Sequence, residues 1–182
     1  SQDQIAASVG GFNKIIFKKN NKFLIKKISK KNNIKKLEKN LVLIYTGINR
    51  TAHKIASTYV KRLTGSKKKY IMNIYEQVVE GEKLINSGKI DDFGKLLHHA
   101  WNEKKKLSKS ISNNKIDNLY NYAIKNGALG GKLLGAGGGG FLLMYMKKEH
   151  RKNFFKDNKQ IIDIPFNFTN EGSQVIFKNL KR

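Results

Sequence analysis

Seven of the twelve residues in Gly130-Gly131-Lys132-Leu133-Leu134-Gly135-Ala136-Gly137-Gly138-Gly139-Gly140-Phe141 are glycine. Ordering that much glycine costs heavily in chain entropy, so the run implies that the backbone needs positive φ or close approach by something else. Gly135, Gly137 and Gly140 satisfy GxGxxG, but a dinucleotide fold requires a strand before the loop, a helix after it and an acidic residue about 20 positions on. The flanks read in the reverse order. A Walker loop fails too, because Lys132 precedes the cluster and Leu133 follows it, with no Ser or Thr for a metal. What remains is a helix–loop–strand turn. Its amides either line an anion or ligand, or its glycines only allow a helix to pack tightly on a strand. The run alone leaves both open.

The remaining pattern predicts an α+β chain. Ser1 to Ala7 opens in the first turn of a helix, as though the chain began in mid-protein. Ile15–Phe17 and Phe23–Ile25 flank Asn20-Asn21, a hairpin signature, since asparagine tolerates left-handed conformations. Residues 26–40, dense in Lys and Asn, read as a solvated connection. Leu41-Val42-Leu43-Ile44-Tyr45 is apolar throughout, as in a strand buried on both faces. Three- and four-residue apolar spacing predicts helices over 51–63, 70–85, 90–107 and 116–125, with Gly88 and Gly127 at C-terminal caps. Phe141–Met146 reads as a strand and 149–155 as a short basic helix, with further strands at 161–166 and 174–177. His98 and His99 point different ways on a helix and read as packing residues, not a metal pair.

Charge brings in a second class of function. Lys plus Arg number 37 against 13 Asp plus Glu, a net +24, which raises nucleic acid as a partner. However, the basic residues include few arginines (Arg50, Arg62, Arg151, Arg182), and arginine has the fork suited to phosphate and guanine. Lys, Asn and Ile are abundant together and Pro165 is the single proline, which reads as codon drift toward adenine and thymine. Lys67–Lys69 and Lys104–Lys106 are the runs a nucleic-acid surface would use. The chain has no cysteine, which excludes disulfides, thiolate nucleophiles and cysteine metal sites. No apolar run reaches the roughly 18 residues of a membrane span and no signal-peptide pattern opens the sequence; with the absence of cysteine fitting a reducing compartment, a cytoplasmic location is expected.

GGKLLGAGGGGFLLMY, from Gly130 to Tyr145, resembles the third conserved motif of the GHMP kinases, in the form found in bacterial heptose phosphate kinases. Gln2-Asp3-Gln4-Ile5-Ala6-Ala7 with Gly10-Gly11-Phe12-Asn13 is similar to the family segment whose aspartate faces the substrate hydroxyl. Taken alone, Asp3 is as well explained as a helix N-terminal acid. Tyr45-Thr46-Gly47-Ile48-Asn49-Arg50-Thr51-Ala52 resembles a strand-to-helix turn of the heptose-type members. A solvated Arg50 before a helix N-terminus is the alternative there. Trp101–Leu107 and Glu171–Ile176 also resemble the family.

The resemblance implies a GHMP kinase C-terminal domain, a ferredoxin-like α/β sandwich, over residues 47–182. Residues 1–46 would be the last strands of an N-terminal domain. It implies transfer of the ATP γ-phosphoryl to a sugar or sugar phosphate, with manno-heptose 7-phosphate as the acceptor. Asp3 would be the base or orienter, Thr46, Gly47, Arg50, Gly10 and Gly11 substrate contacts, and Gly135, Ala136, Gly137, Gly138 and Gly139 the phosphate-proximal backbone. ATP and Mg2+ are implied, with no residue assigned as a metal ligand. The family's glycine- and serine-rich ATP loop has no counterpart in this sequence, so these 182 residues would be almost inactive without an N-terminal half of the same protein. A basic nucleic-acid-binding or non-catalytic interaction domain is the alternative.

Overall fold

The computed structural model describes residues 2–49, 67–156, 158 and 160–176. Helix α1 (Gln2–Val9) leads through Gly10 and Gly11, both at positive φ, into a hairpin of β1 (Asn13–Phe17) and β2 (Phe23–Lys27). The hairpin register runs from Asn13↔Lys27 to Phe17↔Phe23. Asn20 and Asn21 make its turn at φ 61° and 57°, the left-handed conformation that asparagine accepts most readily after glycine.

The expected solvated connection is instead a helix, α2 (Lys31–Lys39). Its lysine-rich composition hides an apolar pair at i, i+3, Ile34 and Leu37. Leu37 is only 1% exposed, beside Leu41, Ile85 and Ile90. Asn33 adds an amide hydrogen bond to the Ile85 carbonyl at 2.7 Å. One well-buried leucine and that bond fasten a turn that composition alone assigns to solvent.

A four-stranded antiparallel sheet carries the rest. It comprises β3 (Leu41–Tyr45), β4 (Ala128–Leu133), β5 (Phe141–Met146) and β6 (Ile162–Asp163), in the order β4-β5-β3-β6. This is the ferredoxin-like arrangement. Strand β3 is buried on both faces as its sequence predicts. Val42 and Ile44 join one core cluster with Leu142, Met144 and Met146, while Leu41 joins the other with Tyr145. Successive side chains of a strand point to opposite faces, so one apolar run serves both cores.

Helices α3 (Lys68–Ser87), α4 (Ile90–Lys105) and α5 (Asn114–Lys125), and a 3-10 turn at Lys109–Ile111, precede β4. Gly88 ends α3 in the left-handed conformation, at φ 76°. Helix α4 lies directly on the sheet. A Cβ at Gly130 would stand 2.2 Å from the Gly94 carbonyl oxygen, and one at Gly94 would stand 2.5 Å from the Tyr145 ring. Helix α6 (Lys148–Lys156) follows β5 and buries Phe154. The expected strand at 161–166 shrinks to the two residues of β6 at the sheet edge. Ile164 still donates to the Leu43 carbonyl, and Pro165, lacking an N–H, stops the ladder. Residues 174–176 form no strand, and Val175 and Ile176 are exposed. The expected helix 51–63 lies outside the described residues. No helix among the described residues is long and apolar enough to cross a membrane.

Candidate active site

The glycine run is the loop of a hairpin, joining β4 to β5. The expected helix before it is therefore replaced by a strand, because Gly130 and Gly131 extend the ladder with small residues where α4 and Met144 press closest. A dinucleotide loop remains excluded, since a strand and not a helix follows. Gly135, Gly137, Gly138 and Gly140 all take positive φ, between 71° and 119°.

Neighbouring elements clasp this loop. Thr46 N–H and Thr46 Oγ1 both donate to the Gly140 carbonyl, at 2.9 and 2.8 Å. Gly140 N–H donates to Ile48 and Gly138 N–H to Ile111. Lys104 Nζ, reaching from α4, donates to the Gly135 carbonyl at 2.6 Å. Among the described residues, the amides of Gly135, Ala136, Gly137 and Gly139 donate no hydrogen bond. Adding a Cβ to Gly135 or Gly140 would meet nothing within 4 Å. A fixed loop with unused N–H donors and open space beside it has the form of an anion nest.

Charge gathers at the same place. Lys104 on α4 and Lys132 on β4 are both partly buried. Burial, with the positive charge of Lys132 beside it, lowers the Lys104 ammonium to a pKa of about 8. Burial also lowers Lys132. Asp3, exposed in the first turn of α1, opposes both shifts by favouring the charged ammonium. A carboxylate from α1 and two cations from α4 and β4 thus interact beside the glycine loop. The sequence singled out neither lysine for this site: Lys132 entered only to reject a Walker loop, and Lys104 only within a lysine run suited to a nucleic-acid surface and a family-like stretch.

The other expected site residues have varied surroundings. Thr46 is 4% exposed, and its hydroxyl hydrogen is committed to Gly140 instead of facing open space. Gly47 takes φ 67°, with Lys115 Nζ 3.2 Å from where its Cβ would be. Gly10 is buried against Glu171 and Gly172, and Gly11 N–H donates to the Thr169 carbonyl. Arg50 lies outside the described residues. His98 packs by two ring hydrogen bonds: Nε2 accepts from Asn102 Nδ2 at 3.0 Å, and Nδ1 bonds the Tyr120 hydroxyl at 2.8 Å. Burial lowers its pKa below the ordinary 6.5. Among the described residues no group of three His, Asp or Glu side chains could hold a metal ion.

Residues 82–159 match the family model described as GHMP kinases C terminal. The chain carries a GHMP kinase C-terminal domain. Over 176 residues it is 32% identical to the D-glycero-alpha-D-manno-heptose 7-phosphate kinase of Campylobacter jejuni, covering 94% of this chain and 52% of that protein. A solved Campylobacter jejuni structure assigned as a sugar kinase is 29% identical, with a TM-score of 0.68 over 94% of this chain and 49% of its own. A further likeness is one of fold alone: the L. major mevalonate kinase in complex with R-mevalonate is 21% identical, with a TM-score of 0.68 over 95% of this chain and 53% of its own. The chain spans about half the length of these relatives. The glycine hairpin, Lys104 and Lys132 all lie within the part matched to the GHMP domain.

Proposed function

We propose that this chain forms one wall of a phosphoryl-transfer site, moving the γ-phosphoryl of ATP to a hydroxyl of a sugar or sugar phosphate. Manno-heptose 7-phosphate is the acceptor suggested by the C. jejuni relative. The observation carrying this reading is the glycine loop with unused amides, held by Lys104 Nζ on the Gly135 carbonyl at 2.6 Å.

Phosphoryl transfer needs little covalent help from protein; it needs in-line positioning and stabilisation of charge on the transferring oxygens. The Asp3 carboxylate orients the acceptor hydroxyl and accepts its proton as the new O–P bond forms and the bond from the γ-phosphorus to the bridging oxygen breaks, ADP leaving with that oxygen. The amides of Gly135, Ala136, Gly137 and Gly139 and the two ammonium groups offset the negative charge of the phosphoryl oxygens. Lys104 also keeps the loop in shape through Gly135. Thr46 acts from behind the loop, Gly47 leaves room for Lys115, and Gly10 and Gly11 set the exit of α1. Arg50 is proposed to hold the acceptor phosphate in a bidentate pair.

The described residues supply no magnesium cage, and no step is assigned to the ion through them. The ATP-holding loop is proposed to come from an N-terminal half, with residues 1–46 belonging to that domain and 47–182 to the C-terminal one. Without it the 182-residue chain turns over little. The test is ADP release, with manno-heptose 7-phosphate and with mannose 6-phosphate, from this chain joined to the N-terminal half of the C. jejuni kinase. Acceptor-dependent release well above either half alone supports the proposal. ATP hydrolysis indifferent to any sugar counts against it.

A further inference from the structure

Phe12 and Asn13 belong to the family-like segment after Asp3, yet none of the roles above uses them. Both line a cavity of about 240 Å3 between the β1–β2 hairpin and helices α3 and α4. Its remaining wall is largely apolar, with Ile74 and Phe93, and it is also lined by Lys132 and by Lys14 and Glu82, which pair at 2.6 Å. The volume lies below the roughly 300–1,000 Å3 of pockets for drug-sized ligands, so an occupant must be compact.

Of three buried wall oxygens without a hydrogen bond, Glu82 Oε1 is paired with Lys26 Nζ at 2.7 Å and the other two have no partner among the described residues. Asn13 Oδ1 and Gln77 Oε1 accept no hydrogen bond from the described residues. The orientation of Asn13 is settled by its other atom: Nδ2 donates to the carbonyls of Gly10 and Gly11, at 2.7 and 3.3 Å. Turning the amide over would set an oxygen against two oxygens. A buried acceptor left unpaired is costly, and native proteins rarely keep one without water, a ligand or a function to explain it. An apolar wall bearing two unpaired acceptors, a cation and the Lys14–Glu82 ion pair complements a ring with carbon-bound hydrogens on its faces and hydroxyls around its edge.

We propose that this cavity holds the sugar ring of the acceptor, with ring hydroxyls donating to Asn13 Oδ1 and Gln77 Oε1 and a further ring oxygen accepting from Lys132. This deepens the sugar-kinase reading and rests on it for the identity of the ligand. Lys132 couples to Asp3 as well, so the same cation links the ring to the carboxylate that would take the reacting hydroxyl's proton.

The test uses the 182-residue chain without nucleotide, titrated with D-mannose as an unphosphorylated pyranose and followed by amide NMR shifts. Saturable shifts centred on Asn13, Gln77 and Gly81 are expected. Gln77→Met keeps the side-chain length and removes the acceptor. It should weaken binding about tenfold or more while leaving the sugar-free thermal midpoint equal or higher, because a buried unpaired oxygen is gone. Shifts confined to other surfaces, no saturable shift, or unchanged affinity in the variant would overturn the proposal. Sugar binding here, together with failure of the acceptor-dependent ADP release described above, sinks the kinase reading alone. Transfer without perturbation at this cavity sinks the pocket alone.

Discussion

Lys104 Nζ on α4 donates to the Gly135 carbonyl at 2.6 Å, tying the first turn of the glycine loop to a helix 31 residues earlier in sequence. The same ammonium approaches the Leu133 carbonyl at 3.4 Å. It is a charge kept partly out of water and employed to hold backbone.

Replacing it separates stability from loop order. In Lys104→Met a desolvated charge is removed, so the thermal midpoint should hold or rise. Hydrogen exchange at the amides of residues 135–139 should speed up, because their tether is lost. A fall in midpoint with unchanged exchange would mean that the lysine serves the core and not the loop.

Its pKa of about 8 gives a pH signature whose sign is opposite to that of a stabilising ion pair. The unfolded lysine holds its proton up to about 10.4, so between the two values the unfolded chain binds more protons. The Lys104 contribution to stability therefore rises with pH across that window, and the burial penalty is greatest below pH 8. Over the same range the neutral amine loses its charge-assisted hold on Gly135, and anion affinity should fall. Side-chain 15N NMR of Lys104 reads the titration directly. Asp3→Asn should move its midpoint further down, since Asp3 favours the charged form.

Thr46→Val tests the clasp on the other side of the loop. The hydroxyl bond to Gly140 is lost while the backbone N–H bond to the same oxygen persists. A cost of about 1 kcal/mol in urea unfolding is expected.

Glycines of the run should divide by role. Gly130→Ala drives a Cβ into the Gly94 carbonyl and the His98 backbone, and should cost about 3 kcal/mol or prevent folding. Gly135→Ala meets no neighbour and bears only the strain of φ 71°, about 1 kcal/mol. Thermal midpoints of the two variants give the ordering.

How far the sequence foretells this structure depends on which physical signal dominates locally. Asn20-Asn21 and Leu41–Tyr45 were legible because a left-handed turn and a doubly buried strand each leave their mark within a few residues. Helix α2 was hidden, since its existence depends on Leu37 meeting Ile85 and Ile90 from distant elements. The strand before the glycine loop was hidden because Gly130 and Gly131 look like loop until Gly94 and Met144 are known to crowd them. At the site, Asp3 and the glycines stood out by motif. Lys104 and Lys132 did not, because a chain so rich in lysine offers no sequence mark for the two that fold inward.

The most direct measurement of the central claim is the rate of phosphoryl transfer from ATP to manno-heptose 7-phosphate, followed by 31P NMR. It would compare Asp3 with Asp3→Asn in this chain joined to the N-terminal half of the C. jejuni kinase. Loss of the proton acceptor should slow transfer by about 10²–10⁴-fold with ATP affinity little changed. Transfer by Asp3→Asn within about twofold of the parent would contradict the account, since a general base contributes far more than that.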